Sequence, residues 1–435
     1  MPKLKHPTTR TLWLKIHLYL ALTVGFLFAI IGLTGSLNVY HDELDGWLNP
    51  HLTIDQPQGS YQSLDKMLAA VKAAHPQRLG SWTLELPQSP HDMLTAWYEK
   101  PQESYFDYYA PLRVSVNPYT AEVVDSRFWG STLMTWLLDM HTQLRLDGLG
   151  WQCVGILGGL MMVSVISGLL LWWPAVGGLR QALQFRYRQT VLRLLMDAHR
   201  WLGLLSAATL LVLAFTGIQL SFPQLLETFT GADDMGHGNT GKPVFSTARS
   251  NNHPVPLEAA EFAARGPFPR ATLRRVTTPL GENGTYRINL RQSGEINHKH
   301  PFTMVWVDRW SGQIKAVRDP KQFSTGQQLM AWMWPLHTGE ALGAAGRFAW
   351  FLAGLCPAYF YVSGLLHWLH KRGWVRDRPI DWQIVRECCW QSWQMLLRAW
   401  AWLLPLLKSG GRWLVLKIVL WRQTWGKHRA KNKRD

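Results

Sequence analysis

The chain has 435 residues with a formal net charge of +16 and 25 tryptophans. That length exceeds one ordinary compact domain, so at least two units are expected. Nucleic-acid binding is excluded by where the charge sits, because the basic residues gather at the edges of long apolar runs rather than on one polar stretch.

Residues 1–48 open with Lys3, Lys5, Arg10 and Lys15, and then enter the apolar run 18–40 with His17 at its entrance. The run approaches the roughly 20 residues that cross a bilayer. No small-residue cleavage pattern follows it before the polar cap Tyr40-His41-Asp42-Glu43-Leu44-Asp45, so it reads as an uncleaved anchor. Residues 49–132 read as a small α+β domain. Leu64, Met67, Leu68 and Val71 share one helical face within 63–74. Segments 82–86, 94–99 and 112–116 alternate like strands, and Asn117-Pro118-Tyr119-Thr120-Ala121 turns the chain into a returning strand at 122–125.

In residues 133–175, read as the second transmembrane helix, His141-Thr142-Gln143-Leu144 opens the span that holds the apolar run 152–174, as His337 opens the fourth within 331–372. The loop 176–196 is basic, with Arg180, Arg186, Arg188 and Arg193. Residues 197–223 hold His199-Arg200-Trp201-Leu202-Gly203 at the head of the run 201–223. Residues 224–330 repeat the α+β pattern, with a helix near 257–264, strands at 286–290 and 303–307, and a turn at 308–312. Within that segment, Gly236-His237-Gly238-Asn239-Thr240-Gly241 satisfies a dinucleotide fingerprint in letters, but no strand leads in and no helix follows, so it reads as a loop. Residues 331–372 bring His337-Thr338-Gly339-Glu340 and the run 347–370, which Pro357 should bend.

The two halves match. Laying His199 on His17 also lays Thr216-Gly217 on Thr34-Gly35. Laying His337 on His141 also lays Ser363-Gly364-Leu365-Leu366 on Ser167-Gly168-Leu169-Leu170. A unit of helix, outer α+β domain and helix therefore occurs twice. The fold class follows: a membrane protein, mainly α, with a four-helix transmembrane bundle built from a duplicated unit. The basic N-terminus, middle loop and C-terminus place both termini and the loop in the cytoplasm and the α+β segments outside. Residues 373–435 form a basic, Trp-rich tail. Its stretch 388–407 carries Arg398 in mid-run, so helices lying on the lipid face are expected there rather than a fifth span.

Histidines at a membrane edge need partners. His17 and His199 are repeat mates at the cytoplasmic level, and His141 and His337 are repeat mates at the outer level. Facing imidazoles on neighbouring helices are the usual ligands of b-type haem, so two haems are expected, roughly 30 Å apart along the helices. No Cys-x-x-Cys-His occurs, which excludes covalent c-type attachment. Arg200, Arg347 and Arg145 lie close enough in sequence to meet haem propionates. His367 and His370, one turn apart, are further candidates at the cytoplasmic level, as is His41 at the outer one; His298 and His300 read as a solvated polar loop. Without haem, the same histidines would serve as interfacial anchors or caps. The glycines of the spans permit close helix approach. No nucleotide or flavin motif occurs, so electrons would come from a quinol or another protein.

These residues resemble a known family, the bacterial PepSY-associated transmembrane proteins, also called iron-regulated membrane proteins. The resemblance rests on His199-Arg200-Trp201-Leu202-Gly203-Leu204, on Leu336-His337-Thr338-Gly339 with Gly343, Gly346 and Arg347, on the Asp42-Glu43-Leu44-Asp45 cap, and on the PepSY-like outer segments. It covers about residues 10–372 and leaves the tail out. The first repeat departs from it, with His17-Leu18-Tyr19-Leu20 for His-Arg-Trp-Leu and no glycine after His141-Thr142. The resemblance implies an inner-membrane, haem b-dependent ferric-siderophore reductase with its outer domains in the periplasm. The other expectation is a haem-free, membrane-anchored PepSY protein that binds or regulates an envelope partner.

Overall fold

The computed structural model describes residues 9–379, apart from breaks at 58, 175–177, 179, 181–182, 185–189, 233–234, 236–240 and 248–252, and then 387, 390–395 and 397–398. The fingerprint-like loop at 236–240, Arg186, Arg188 and most of the tail segment 388–407 lie outside the described residues.

The chain begins with α1 (Thr9–Thr23) and α2 (Gly25–Asn38), which meet at 65°. The single first span expected from the sequence is therefore a bent pair. Thr23 turns its hydroxyl back onto the Tyr19 carbonyl at 2.7 Å, the kind of side-chain competition that bends helices. Directly beyond the bend, a Cβ on Gly25 would stand 2.9 Å from the Tyr361 ring. α3 (His41–Leu48) follows as the polar cap.

Next come α4 (Leu64–Ala74), β1 (Thr83–Glu85), β2 (Leu94–Tyr98), β3 (Leu112–Val116) and β4 (Val123–Phe128). α4 starts at Ser63, whose hydroxyl accepts from the Lys66 amide, and buries all four of its expected core residues. α5 (Leu133–Gln143) and α6 (Asp147–Trp172) come after, then α7 (Val191–Ser221) and α8 (Pro223–Thr230). The second half continues with α9 (Leu257–Arg265), β5 (Thr272–Thr277), β6 (Tyr286–Arg291), β7 (Thr303–Val307), β8 (Ile314–Arg318), α10 (Thr325–Thr338) and α11 (Gly343–Lys371). By length and composition α6, α7 and α11 can cross a membrane, and the α1–α2 pair adds a fourth crossing if it counts as one span.

His141 and His337 do not open the long helices, as the sequence reading had it. Each lies near the C-terminal end of a separate short helix, α5 or α10. The break has the same cause in both repeats. Gly339 and Gly343 take left-handed backbone (φ 79° and 63°), and Leu144, Arg145 and Asp147 do so in the first repeat (φ 49°, 58° and 52°). A non-glycine residue in that region costs about 1–2 kcal/mol, so the first repeat carries strain that the second avoids with glycine. The tight return also needs a bare Cα on the next helix. A Cβ on Gly150 would lie 1.7 Å from the Gln143 carbonyl oxygen, and one on Gly346 would lie 2.4 Å from that of Gly339.

The two α+β segments join. Their strands form one eight-stranded antiparallel sheet in the order β4-β3-β2-β1-β5-β6-β7-β8. The halves meet where Thr83, Leu84 and Glu85 pair with Thr277, Val276 and Arg275. β5 was hidden in the sequence because Arg274 and Arg275 interrupt its apolar alternation, and the register shifts at that point. One face of the sheet carries Leu84, Ala96, Val114, Val276, Ile288 and Val305, all fully buried under α4 and α9. Side chains of this size stabilise by roughly 1.5–3 kcal/mol each when buried. The opposite face is polar and turns toward the helices. Arg127 reaches Asp45 of α3 at 3.1 Å, and Lys299 reaches Asp42 at 2.8 Å.

The long helices cross on small residues. A Cβ on Gly354 would stand 3.0 Å from the Gly32 carbonyl, and one on Gly158 would stand 3.2 Å from that of Ala214. These contacts are repeat mates, so α2 on α11 and α7 on α6 use one packing solution twice.

Candidate functional site

Four histidines form two pairs. His17 on α1 and His199 on α7 have ring centroids 6.5 Å apart, at the end remote from the sheet. His141 on α5 and His337 on α10 have centroids 6.0 Å apart, at the sheet end. The structure thus brings together the residues that the repeat comparison assigned to each level.

Each ring is held through Nδ1. His199 Nδ1 lies 2.8 Å from the Ser363 hydroxyl, and His337 Nδ1 lies 2.9 Å from that of Thr216. His17 Nδ1 lies 2.9 Å from the Ser167 hydroxyl and 3.1 Å from the Ser164 carbonyl. His141 Nδ1 lies 2.9 Å from the Ile31 carbonyl. Carbonyls can only accept. The three hydroxyls already donate within their own helices, Ser363 to Tyr359, Thr216 to Val212 and Ser167 to Ser164. Nδ1 is assigned as the donor in all four rings on this network, which leaves Nε2 as the unprotonated nitrogen of the neutral imidazole. That is the tautomer a metal requires, with the second nitrogen oriented by an outer partner.

Beside each acceptor stands a glycine that makes room for the ring. A Cβ would meet Cε1 of the histidine at 2.6 Å from Gly35, 3.3 Å from Gly168, 3.4 Å from Gly217 and 4.0 Å from Gly364. The sequence aligned these hydroxyl–glycine pairs as repeat markers but did not read them as histidine seats. The signal was there, since a small hydroxyl residue followed by glycine recurs once opposite each histidine.

With metal–imidazole bonds of ~2 Å and about 1 Å more from nitrogen to ring centre, two imidazoles trans on one metal stand ~6 Å apart. Both pairs have that spacing. Among the described residues no group of three or more His, Cys, Asp or Glu is placed to hold a metal ion. Each pair offers two imidazole donors at this spacing.

The remaining candidates are engaged in other contacts. Arg200 pairs with the buried Asp197 on α7. Arg347 reaches the Val39 carbonyl at 2.6 Å and Glu43 at 2.7 Å, and its guanidinium stacks 4.8 Å from the Tyr40 ring. Arg145 pairs with Asp139 at 2.6 Å. His370 lies 3.0 Å from the Val375 carbonyl and helps to end α11, while His367 lies within electrostatic reach of His199 and Lys371. His41 contacts Asn38 at 3.3 Å. His300 does not sit in a solvated loop. It packs edge-on against Trp334 of α10 at 4.8 Å and meets Arg275 at 3.2 Å.

Helices able to cross a bilayer, joined to an antiparallel sheet domain, define a membrane protein of several spans. The sequence profile of the family described as PepSY-associated TM region matches residues 14–371, and the chain belongs to that family. No curated protein matches the sequence.

Proposed function

We propose that this protein is a two-haem b oxidoreductase of the bacterial inner membrane that reduces a ferric-siderophore or similar ferric chelate on the periplasmic side. One observation carries the reading: four histidines, paired at ligand spacing, each with Nδ1 committed as donor and Nε2 left to bind. His17 and His199 would hold the cytoplasmic-side group, and His141 and His337 the periplasmic-side group. Bound there, haem b supplies one-electron chemistry, while the protein sets position, basicity and access.

The chain's own parts suit those tasks. The α1–α2 pair, α6, α7 and α11 make the four-helix bundle, whose apolar length insulates the two levels from each other. The hydroxyl and carbonyl acceptors raise the basicity of each Nε2 and fix the ring plane. Arg200 keeps further N–H donors beyond those facing Asp197, and Arg347 keeps one beyond those facing Val39 and Glu43, so either could meet a propionate. His367, which acts electrostatically on His199, would be the further ligand candidate at that level. The sheet domain, the joined PepSY-like segments, covers the periplasmic pair. The donor is a quinol or a protein on the other side. Reduction releases iron because ferrous iron binds hard-oxygen chelators less tightly than ferric iron.

The test is the absorbance spectrum of the detergent-purified protein, oxidised and dithionite-reduced, followed by anaerobic addition of a ferric chelate. A reduced α-band with about two b haems per chain, lost on adding the chelate, is expected. A colourless protein from haem-replete cells would overturn the reading and leave a haem-free binding protein. Ser363→Ala should lower haem affinity at the His199 level by about tenfold or more, because the ring loses the acceptor that orients it. Haem titration into stripped protein measures this, with the other level unchanged as the internal control.

A further inference from the structure

We propose that the polar face of the sheet carries an anion-binding site centred on Arg113, which takes the charged oxygen donors of the ferric chelate. The inference rests on the reductase reading for the identity of its ligand, but the site itself is argued from the sheet.

Strand alternation puts Arg113, Trp97, Arg127 and Arg287 on the face opposite the apolar core, in one cross-strand row. Three other cations of this face have carboxylate partners: Arg127 with Asp45, Arg275 with Glu85 at 3.0 Å, and Lys299 with Asp42. Among the described residues Arg113 has neither an ion pair nor a hydrogen bond. Its guanidinium instead lies 4.9 Å from the Trp97 ring and 5.7 Å from the Trp129 ring. Nε and Nη1 are buried there without an acceptor, which leaves Nη2 as the edge open to a ligand. Asp42, Asp45 and Glu85 act on Arg113 electrostatically, yet each is already matched to its own cation. A guanidinium held by indoles keeps its in-plane N–H edge for an oxyanion, which is how arginine recognises carboxylates and similar groups.

The neighbours favour the same charge. Arg287 donates to the Thr277 hydroxyl at 3.2 Å and makes no ion pair among the described residues, with Glu99 the carboxylate that acts on it electrostatically. Burial raises the Glu99 carboxyl above its ordinary range, while Arg287 and Arg275 pull it the other way. Burial also raises the Tyr109 hydroxyl, so it stays a donor, and its ring lies 5.2 Å from Trp129 with 42% of the residue exposed. One cation edge and one neutral donor therefore lie together on this face.

Its position is the second observation. Trp129 donates its indole N–H to Asp139 at 2.8 Å, on the helix that carries His141. On the other side Arg275 meets His300, which packs on Trp334 of the helix that carries His337. The polar sheet face is tied to both helices of the sheet-side pair, so a ligand at Arg113 is held above that pair.

The test uses redox-silent gallium(III) complexes on the full-length protein, read by calorimetry in detergent. The trianionic tris-catecholate complex should bind, with affinity falling as salt rises. A cationic gallium trihydroxamate should bind at least about tenfold more weakly. Arg113→Gln should weaken the tris-catecholate by about tenfold or more, Arg113→Lys by less, and Arg265→Gln on the opposite face not at all. If Arg113→Gln elutes as an aggregate, Arg113→Lys decides the question. Equal binding of both complexes, or unchanged affinity in the folded variants, overturns the site. Arg113-dependent binding by a protein that proves haem-free keeps the site and removes the reductase, so the two proposals fail separately.

Discussion

His141→Ala and His337→Ala should each abolish the low-spin b-haem signal of the sheet-side level, and the double variant should do no more than either single one. Haem content measured as the pyridine haemochrome should fall from about two to about one per chain. The reason is geometric. The two rings stand 6.0 Å apart and each presents one unprotonated nitrogen, so removing either leaves a single axial donor in an apolar site. Residues that act as a unit give non-additive losses. His17→Ala and His199→Ala should remove the other level and spare this one. The levels are separate because no side chain is shared between them: His17 and His199 are seated on Ser167 and Ser363, and His141 and His337 on the Ile31 carbonyl and Thr216. His367→Ala tests the competing ligand at the level remote from the sheet, where loss of the haem with His199 intact would reassign the pair. If all four single variants keep two haems, the pairs are not the ligands.

The sequence disclosed the pairs but not their seats. Duplication alone brings His17 to His199 and His141 to His337, because repeat mates meet across an approximate two-fold axis whatever the details of the helices. The bend at Val24 and the breaks after His141 and His337 were harder to see. Thr23 and Leu144 carry no strong stop signal, and left-handed backbone at Leu144, Arg145 and Asp147 is imposed by packing against propensity. Where the second repeat places glycine at this break, the first carries left-handed backbone at Leu144, Arg145 and Asp147. The α4 face was legible because its period is simple, and all of Leu64, Met67, Leu68 and Val71 are buried. Joining of the two α+β segments was not legible, since β1 and β5 recognise each other by edge pairing, which leaves no local pattern. The same holds for Arg113, an arginine in a strand whose indole neighbours come from β2 and from the loop after β4.

A graded glycine series should separate seating from folding. Gly35→Ala is expected to cost most or all of the sheet-side haem while leaving elution and helix content close to wild type. The added methyl would stand 2.6 Å from His141 Cε1 and 3.0 Å from Nδ1, closer than carbon atoms tolerate. The obstructing atoms belong to a side chain that can swing, so the ring gives way before the helices do. Swinging breaks the 2.9 Å bond to the Ile31 carbonyl, and with it the orientation of Nε2. Gly168→Ala and Gly217→Ala place the methyl at 3.3 and 3.4 Å, where a shift of a few tenths of an ångström suffices, so partial loss is expected. Gly364→Ala, at 4.0 Å, should be silent. Haem content and reduced α-band intensity should therefore fall in the order of these distances. Alanine also favours helix over glycine by about 1 kcal/mol, so a general folding defect would not produce that order. If Gly35→Ala carries a full haem complement, His141 is not held as the structure has it, and the Nδ1 argument for that level fails.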